Sequence, residues 1–189
     1  MSDAGASLHT IRVARKVDRT QISLTVNGTR HDVSVRQYDV LLDVLREQLL
    51  LTGTRRGCDM GTCGCCTVLL DGRPVLSCLT LALAVEDARV TTIEGVADLE
   101  AGAALHPVQE AFVQTGASQC GFCTPGFIMS AVSLLERRVD PTEAEIREAI
   151  SGNICRCTGY VAIIEAIGRA ARILRESRPA QPAERGERR

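Results

Sequence analysis

The cysteines constrain this sequence more than any other feature. The chain of 189 residues has nine cysteines but only three histidines. Nine is an odd number, which fits poorly with a complete disulfide framework, and so many thiols indicate metal or redox chemistry. The scarcity of histidine disfavours mixed Cys/His zinc sites, while a zinc site made of cysteines alone stays open.

The first set of cysteines begins in one glycine-rich loop. Cys58, Cys63 and Cys66 follow the spacing C-x4-C-x2-C, and Cys78 comes twelve residues later. This is the spacing of plant-type [2Fe–2S] ferredoxins, in which a loop wraps three thiolates around a two-iron core. Glycines at positions 57, 61 and 64 are expected to supply the positive φ angles and the close backbone approach that such wrapping needs.

Cys65 is a fourth cysteine in a loop where three suffice. The x2 spacing from Cys63 selects Cys66 as the third ligand, and adjacent residues of an extended segment point to opposite sides. We therefore expect Cys65 to face away from the site as a small, packed side chain. Zinc is the alternative metal for this set, but zinc ribbons pair two C-x2-C knuckles and only one such pair occurs here.

The second set combines a C-x2-C pair, Cys120 and Cys123, with a C-x-C pair, Cys155 and Cys157, about thirty residues later. Both pairs come just before predicted helices, whose N-termini favour thiolate over thiol. A lone C-x2-C also occurs in thioredoxin-like redox motifs, but those need a βαβ setting that this region lacks. An iron–sulfur cluster therefore fits the second set best.

Periodicity in the first half predicts a small α+β domain over residues 19–95. A hairpin over 21–35 turns at Asn27-Gly28, and a helix follows over 40–51 with Gly53 at its exit. A second hairpin over 67–77 turns at Asp71-Gly72, and a last strand is predicted over 90–93.

The second half is predicted to be an all-helical domain over residues 106–177, following a linker over 96–105. Thr124 as cap and Pro125 at the first position predict a helix start, and Thr142 with Glu145 forms a capping-box pattern. Four helices are expected, over 107–114, 124–137, 143–151 and 160–176, and they favour a four-helix bundle. His106, just before the first of them, is interpreted as a helix-end residue and not as a ligand.

Composition and charge narrow the choice of partners and compartment. The net charge of −1 gives no reason to expect nucleic acid or an anionic membrane as a partner. No apolar run approaches the ~20 residues of a membrane helix, and the first twenty residues lack the apolar core of a signal peptide. We therefore expect a cytoplasmic protein with a flexible leader (1–18) and a disordered tail (178–189).

Three motifs resemble the signatures of the iron–sulfur subunit of the xanthine dehydrogenase family of molybdenum hydroxylases. They lie at residues 58–68, 119–126 and 152–160, agree with the family in order and spacing, and belong to a resemblance that spans about residues 21–172. One departure is Cys65, where the family commonly has alanine.

The resemblance implies a ferredoxin-like (β-grasp) domain followed by a four-helix bundle domain, with one [2Fe–2S] cluster in each. It implies two ligand sets: Cys58, Cys63, Cys66 and Cys78 in the first domain, and Cys120, Cys123, Cys155 and Cys157 in the second. It also implies that Cys157 and Gln119 lie beside the molybdenum–pterin cofactor of a large partner subunit.

The same resemblance implies an electron-transfer role within a complex. Single electrons would pass between the molybdenum–pterin site and FAD of a medium subunit, with the first cluster facing the flavin. The complex would be a dimer of heterotrimers, and the substrate chemistry would belong to the partner. A free-standing two-cluster ferredoxin is the alternative, and the substrate and the direction of electron flow stay open.

Overall fold

The computed structural model describes residues 18–97 and 104–177. The predicted disordered tail and residues 98–103 of the predicted linker lie outside the described residues, as does the predicted leader apart from residue 18. Within the two described ranges, no helix combines the length and the apolar character that crossing a membrane requires.

Five strands form one mixed sheet in the first half of the chain. They are β1 (Arg19–Val26), β2 (Thr29–Arg36), β3 (Thr67–Leu70), β4 (Arg73–Leu76) and β5 (Arg89–Thr91). Their order is β2-β1-β5-β3-β4, with β1 and β5 parallel and all other neighbours antiparallel. This arrangement gives the α+β architecture expected of a ferredoxin-like domain.

Both predicted hairpin turns are confirmed. Asn27 and Asp71 have φ angles of 49° and 47°, and the glycine after each also has a positive φ. Two consecutive left-handed residues match the right-handed twist of the flanking strands, which is why Asn-Gly and Asp-Gly favour such turns. The last strand, β5, ends two residues earlier than predicted, and a 3-10 turn (Ile93–Gly95) follows it.

The predicted helix over 40–51 is shorter and wider than expected. Helix α1 (Leu41–Asp43) continues directly into a π-helical segment (Val44–Gln48), and Leu50 then adopts a φ of 58°. The Arg46 guanidinium donates a hydrogen bond to the Thr54 carbonyl at 2.7 Å. The helix ends before Gly53 because the Leu51 N–H donates back to the Leu45 carbonyl at 2.8 Å while Leu50 adopts the left-handed conformation that usually belongs to glycine.

Four helices are found in the described residues after 103. They are α2 (Pro107–Gln114), α3 (Thr124–Arg137), α4 (Glu143–Ala149) and α5 (Val161–Ser177), so α4 ends two residues earlier than predicted. Phe127, Met129, Ile163 and Ile167 are fully buried in their common apolar core. Leu69 of β3 belongs to the same core, so helix α3 packs against the sheet and the two halves share a boundary.

The starts of α2, α3 and α4 lie where they were predicted, but one of the predicted caps is wrong. Thr142 and Glu145 form the predicted capping box, and His106 caps α2 by accepting a hydrogen bond from the Val108 N–H on Nδ1 at 3.2 Å. Thr124 is not a cap: Cys123 occupies that position, and the Thr124 hydroxyl instead donates to Ser118 Oγ at 3.0 Å. Because the Thr124 hydroxyl bonds to Ser118, it does not cap the helix backbone.

Candidate metal centres

The structure brings the predicted ligands together in two groups. All nine cysteines lie in the described residues, and all nine are free thiols. The first site is the group from the α+β half: Cys58, Cys63, Cys66 and Cys78. The second site is the group from the helical half: Cys120, Cys123, Cys155 and Cys157.

The thiols of the first site influence one another in two pairs. The Cys63 thiol contributes to the shifted pKa of Cys58, and the Cys66 thiol contributes to that of Cys78. Cys65 acts on the pKa of Cys63 in the same way. Cys78 follows β4, so the second hairpin must fold back onto the loop to complete the group. Cys66 and Cys78 are both buried and pack against Leu42 of α1.

The second site has the same paired arrangement. The sulfurs of Cys120 and Cys157 are 3.6 Å apart, and the neighbouring Cys155 thiol adds to the burial that raises the pKa of Cys123. Cys120 and Cys157 are exposed, whereas Cys155 is buried and Cys123 is half-buried. One pair therefore opens to the protein surface, and the other faces the helical core.

Paired thiols fit a two-iron cluster. A [2Fe–2S] cluster is held by four cysteine thiolates, two on each iron, so its ligands come in two pairs. In the described ranges, no three His, Cys, Asp or Glu side chains are grouped closely enough to hold a single metal ion. Four thiols in two pairs match the number and the pairing of ligands that such a cluster needs in each site.

One cysteine in the first site is strongly activated. The Thr62 hydroxyl and the backbone N–H groups of Met60 and Cys63 donate to the sulfur of Cys58, and they lower the pKa of this thiol to about 6. The thiolate is the form that binds a metal. Cys58 is therefore ready to take up iron near neutral pH.

One cysteine in the second site is activated in a similar way. Burial alone would raise the pKa of Cys155, but Thr158 Oγ1 donates to its sulfur at 3.2 Å and backbone N–H groups of Thr158 and Cys157 add further bonds. Together these bonds outweigh burial and lower the pKa of Cys155. Each site thus contains a threonine hydroxyl that donates to one predicted ligand.

Several of the other ligand thiols have raised pKa values. Burial raises the pKa of Cys63, and it raises the pKa of Cys78 to about 11 and of Cys123 to about 12. The hydrogen bond with Cys120 raises the pKa of Cys157. Because these thiols are protonated at neutral pH, loading of both sites must release protons.

Only two of the three glycines predicted to have positive φ angles in the cysteine loop have them. Gly61 and Gly64 have the expected positive φ angles, 75° and 69°, but Gly57 does not. Asp59 supplies the remaining left-handed turn with a φ of 53°. Its carboxylate is held at 2.7 Å by Arg56, which also pairs with Asp43 on α1. Asp59 thus has the positive φ that was predicted for Gly57, whereas Gly57 supplies the predicted close approach of the backbone to a sulfur, that of Cys63.

Cys65 is a small packed side chain, as predicted, but it does not point away from the loop. A β-carbon added to Gly57 would lie 2.8 Å from Cys63 Sγ and 3.3 Å from Cys65 Sγ, so both sulfurs flank the same spot. The chain turns at Gly64 between these two residues, so the alternation of an extended segment does not apply, and Cys65 comes to lie beside Cys63. Burial raises the pKa of Cys65 to about 12.

The two sites are joined by main-chain contacts between their loops. The Ile154 N–H donates to the Cys63 carbonyl at 2.9 Å. Helix α3 approaches the first loop so closely that a β-carbon on Gly126 would lie 2.3 Å from the Gly64 carbonyl oxygen. Glycine is required at position 126 because any side chain would push these two backbones apart.

Asn153 is a functional residue that sequence reasoning missed. It is only 4% exposed, its Nδ2 donates to the Gly64 carbonyl at 3.0 Å, and its Oδ1 accepts from Ser130 Oγ at 2.8 Å. It therefore ties α3, the second-site loop and the first-site loop together. Gln119, predicted from the family signature, lies exposed on the loop between α2 and α3 next to Cys120.

Comparison with known protein families agrees with this two-part organisation. Residues 24–91 match the family described as the 2Fe-2S iron-sulfur cluster binding domain. Residues 92–168 match the family described as the [2Fe-2S] binding domain. Each matched region contains one of the two sites.

Individual relatives match most of the chain. The nicotine 6-hydroxylase small subunit of Paenarthrobacter nicotinovorans is 50% identical over 150 residues, which cover 79% of this chain and 88% of the relative. The aldehyde oxidoreductase of Megalodesulfovibrio gigas is 45% identical over 82% of this chain, but that match covers only 17% of the much longer relative.

A solved structure shows the same fold. The crystal structure of quinoline 2-oxidoreductase from Pseudomonas putida 86 contains a chain that is 43% identical and superposes with a TM-score of 0.79. The match covers 85% of this chain and 98% of the other.

Proposed function

Because the chain belongs to the iron–sulfur small-subunit family of the molybdenum hydroxylases, we propose that it relays single electrons between molybdenum–pterin and FAD centres of partner subunits. When bound, its two [2Fe–2S] clusters supply one-electron oxidation and reduction. The chain itself holds the clusters and fixes their separation. The substrate chemistry belongs to a partner subunit.

The observation that carries this proposal is the hydrogen bond from the Ile154 N–H to the Cys63 carbonyl at 2.9 Å. Cys63 belongs to the first site, and Ile154 directly precedes Cys155 of the second. One hydrogen bond thus connects two main-chain segments that each carry a predicted ligand. Two thiol sites so joined are suited to exchanging electrons with each other.

We assign the eight cysteines of the first and second sites as the cluster ligands. Their paired sulfurs and the match of each half to a [2Fe–2S] family support this assignment. We also divide the chain into a ferredoxin-like domain over residues 19–95 and a helical domain over residues 106–177. The helical domain is proposed to be a four-helix bundle.

The molybdenum–pterin partner is proposed to dock at the second site. Cys120, Cys157 and Gln119 are exposed there, and Phe122, between the two ligands of the C-x2-C pair, is 46% exposed. An exposed aromatic side chain next to exposed thiols favours burial against another protein. In this arrangement Gln119 and Cys157 lie closest to the pterin.

An FAD-containing subunit is proposed to dock at the first site. Leu79, which follows Cys78, is 60% exposed, and it lies against Gly61 beside the exposed Met60. These apolar side chains would be covered by the second partner. The full assembly is proposed to be a dimer of heterotrimers, and the nine free thiols favour a cytoplasmic location.

Purification from the native host tests the proposed role. We expect the chain to elute with two larger subunits, to contain four iron atoms, and to give two EPR signals after reduction with dithionite. A lone 20.3 kDa protein would favour the free-standing carrier. Zinc without iron would contradict the redox account altogether.

Two matched substitutions test the proposed docking faces. Phe122→Asp should release the molybdenum subunit but retain the FAD subunit, because a charge cannot be buried unpaired in an apolar interface. Leu79→Asp should have the opposite effect. Both variants should keep their iron, and loss of the same partner from both would contradict the assignment of separate faces.

A further inference from the structure

Thr158 connects a ligand of the second site to the start of helix α5. Its hydroxyl oxygen lies 3.2 Å from Cys155 Sγ and also 3.2 Å from the backbone nitrogen of Tyr160. The Tyr160 N–H can only donate, so the threonine oxygen accepts that bond. The single hydroxyl proton of Thr158 is then directed at the sulfur of Cys155.

The backbone at Tyr160 is strained to make this arrangement. Its φ of 70° is rare for a bulky residue, and such a conformation persists only where surrounding contacts enforce it. The strained peptide turns its N–H towards Thr158 Oγ1. Strain of this kind concentrates at functional sites.

The side chain of Tyr160 holds the strained turn in place. Its hydroxyl accepts a hydrogen bond from the Cys155 N–H at 3.0 Å, and its ring packs edge-on against Phe127 with a centroid distance of 6.0 Å. Phe127 is fully buried in the helical core. The loop from Cys155 to Tyr160 is thus closed at both ends, and Thr158 has little freedom to turn away from the sulfur.

From this geometry we propose that Thr158 is a positioning residue that raises the reduction potential of the second site. The inference rests on the two-cluster relay proposed above. Each reduction adds one electron and one negative charge to the site, with no bond broken and no proton taken from Thr158. A donor directed at a ligand sulfur stabilises the more negative state, so an electron is held more strongly there.

Thr62 provides a comparison in the first site. Its hydroxyl donates to Cys58, but Thr62 is exposed, whereas Thr158 is half-buried. Water can replace an exposed donor, and a hydrogen bond is stronger where the surroundings are less polar. Thr158 should therefore have the larger effect on the potential of its own site.

Potentiometric titration of the assembled complex, followed by EPR, tests the inference. The Cys123→Ser variant identifies the second-site signal, since it should remove only that signal. Thr158→Val keeps the shape of threonine but lacks the hydroxyl. This variant should lower the reduction potential of the second site. We expect the equilibrium constant for placing an electron on the second site instead of the first to fall about tenfold, which corresponds to a potential lower by about 59 mV. Thr158→Ser should restore the parent value, and Thr62→Val should produce a smaller change at the first site alone.

The outcomes separate this inference from the proposed function. If the parent gives two EPR signals, the two-cluster relay stands. An unchanged second-site potential in Thr158→Val, or a lowered potential in Thr158→Ser, would then overturn only the role of Thr158. A parent with fewer than two signals would overturn the two-cluster relay itself. If the valine variant does not assemble its second cluster, Thr158→Ala gives the same comparison with a smaller side chain.

Discussion

The Ile154 backbone N–H donates a hydrogen bond to the carbonyl oxygen of Cys63 across 2.9 Å. The bond joins the two cysteine sites through main-chain atoms, so it does not depend on the exposed Ile154 side chain. It depends instead on how closely the two loops are held. The residues that hold them are Asn153, Ser130 and the close-packed glycines at positions 64 and 126.

Replacing Asn153 with alanine should destabilise the junction between the sites. The change leaves the buried Ser130 hydroxyl without its partner, at a cost of about 1–3 kcal/mol, whereas the Gly64 carbonyl keeps its bonds from the Thr67 N–H and hydroxyl. We expect a loss of about 1–3 kcal/mol, measured by urea unfolding of the iron-loaded protein. Ile154→Ala is the matched control, and it should stay within about 0.5 kcal/mol of the parent because the side chain is exposed. Equal stability of the two variants would contradict the role assigned to Asn153.

Two glycine-to-alanine substitutions in helices should have opposite effects. A β-carbon on Gly126 would lie 2.3 Å from the Gly64 carbonyl oxygen, so Gly126→Ala must force α3 away from the first loop. Overpacking of this kind costs about 1–3 kcal/mol. A β-carbon on Gly168 of α5 would meet only Ile146, at 4.0 Å, so Gly168→Ala should stabilise the protein by about 0.5–1 kcal/mol through helix propensity. Thermal unfolding measures both changes, and a destabilised Gly168→Ala would show that the α5 surface is more crowded than the structure indicates.

Local rules made some features predictable from the sequence, and non-local contacts decided the others. The Asn27-Gly28 turn and the Thr142 capping box were predicted correctly because each depends on residues within four positions. The end of the first helix was not, because Leu50 and not Gly53 adopts the left-handed conformation that ends it.

The same distinction applies to the sites. Cysteine spacing indicated two groups of four thiols, because the ligands of one cluster must all reach the same compact core and therefore occur at characteristic spacings. Asn153 contacts Gly64 across 89 residues of sequence, and no periodic pattern predicts such a contact. The orientation of Cys65 depends on the path of the loop. Because the loop turns at Gly64, the alternation of side chains in an extended segment does not predict that orientation.

Substitution of the two adjacent buried cysteines should distinguish ligand from bystander. Cys65→Ala should keep both EPR signals and four iron atoms, because Cys58 with Cys63 and Cys66 with Cys78 supply the four thiols of the first site without it. Cys66→Ala should remove the first-site signal, because it leaves Cys78 without its partner. Loss of iron from Cys65→Ala, with iron retained in Cys66→Ala, would reverse the ligand assignment in this loop.

His106 should make the start of helix α2 sensitive to pH. Its neutral Nδ1 accepts from the Val108 N–H, and burial lowers the pKa of His106 from its ordinary value of 6.5. The folded state therefore binds this proton less readily than the unfolded state. The cap contributes its full stabilisation above about pH 6.5, which is the ordinary pKa of the unfolded state. This contribution is lost as the pH falls through the lower pKa that His106 has in the folded state. A lost cap costs about 1 kcal/mol.

Amide hydrogen exchange in the first turn of α2 measures this effect. The protection factor of the Val108 amide, which is the intrinsic exchange rate divided by the observed rate, should decrease between pH 7 and pH 5. His106→Asn provides the control, since asparagine is a good N-cap that does not titrate in this range, and its protection should not change with pH. An equal pH dependence in the parent and the asparagine variant would show that another group controls the start of this helix.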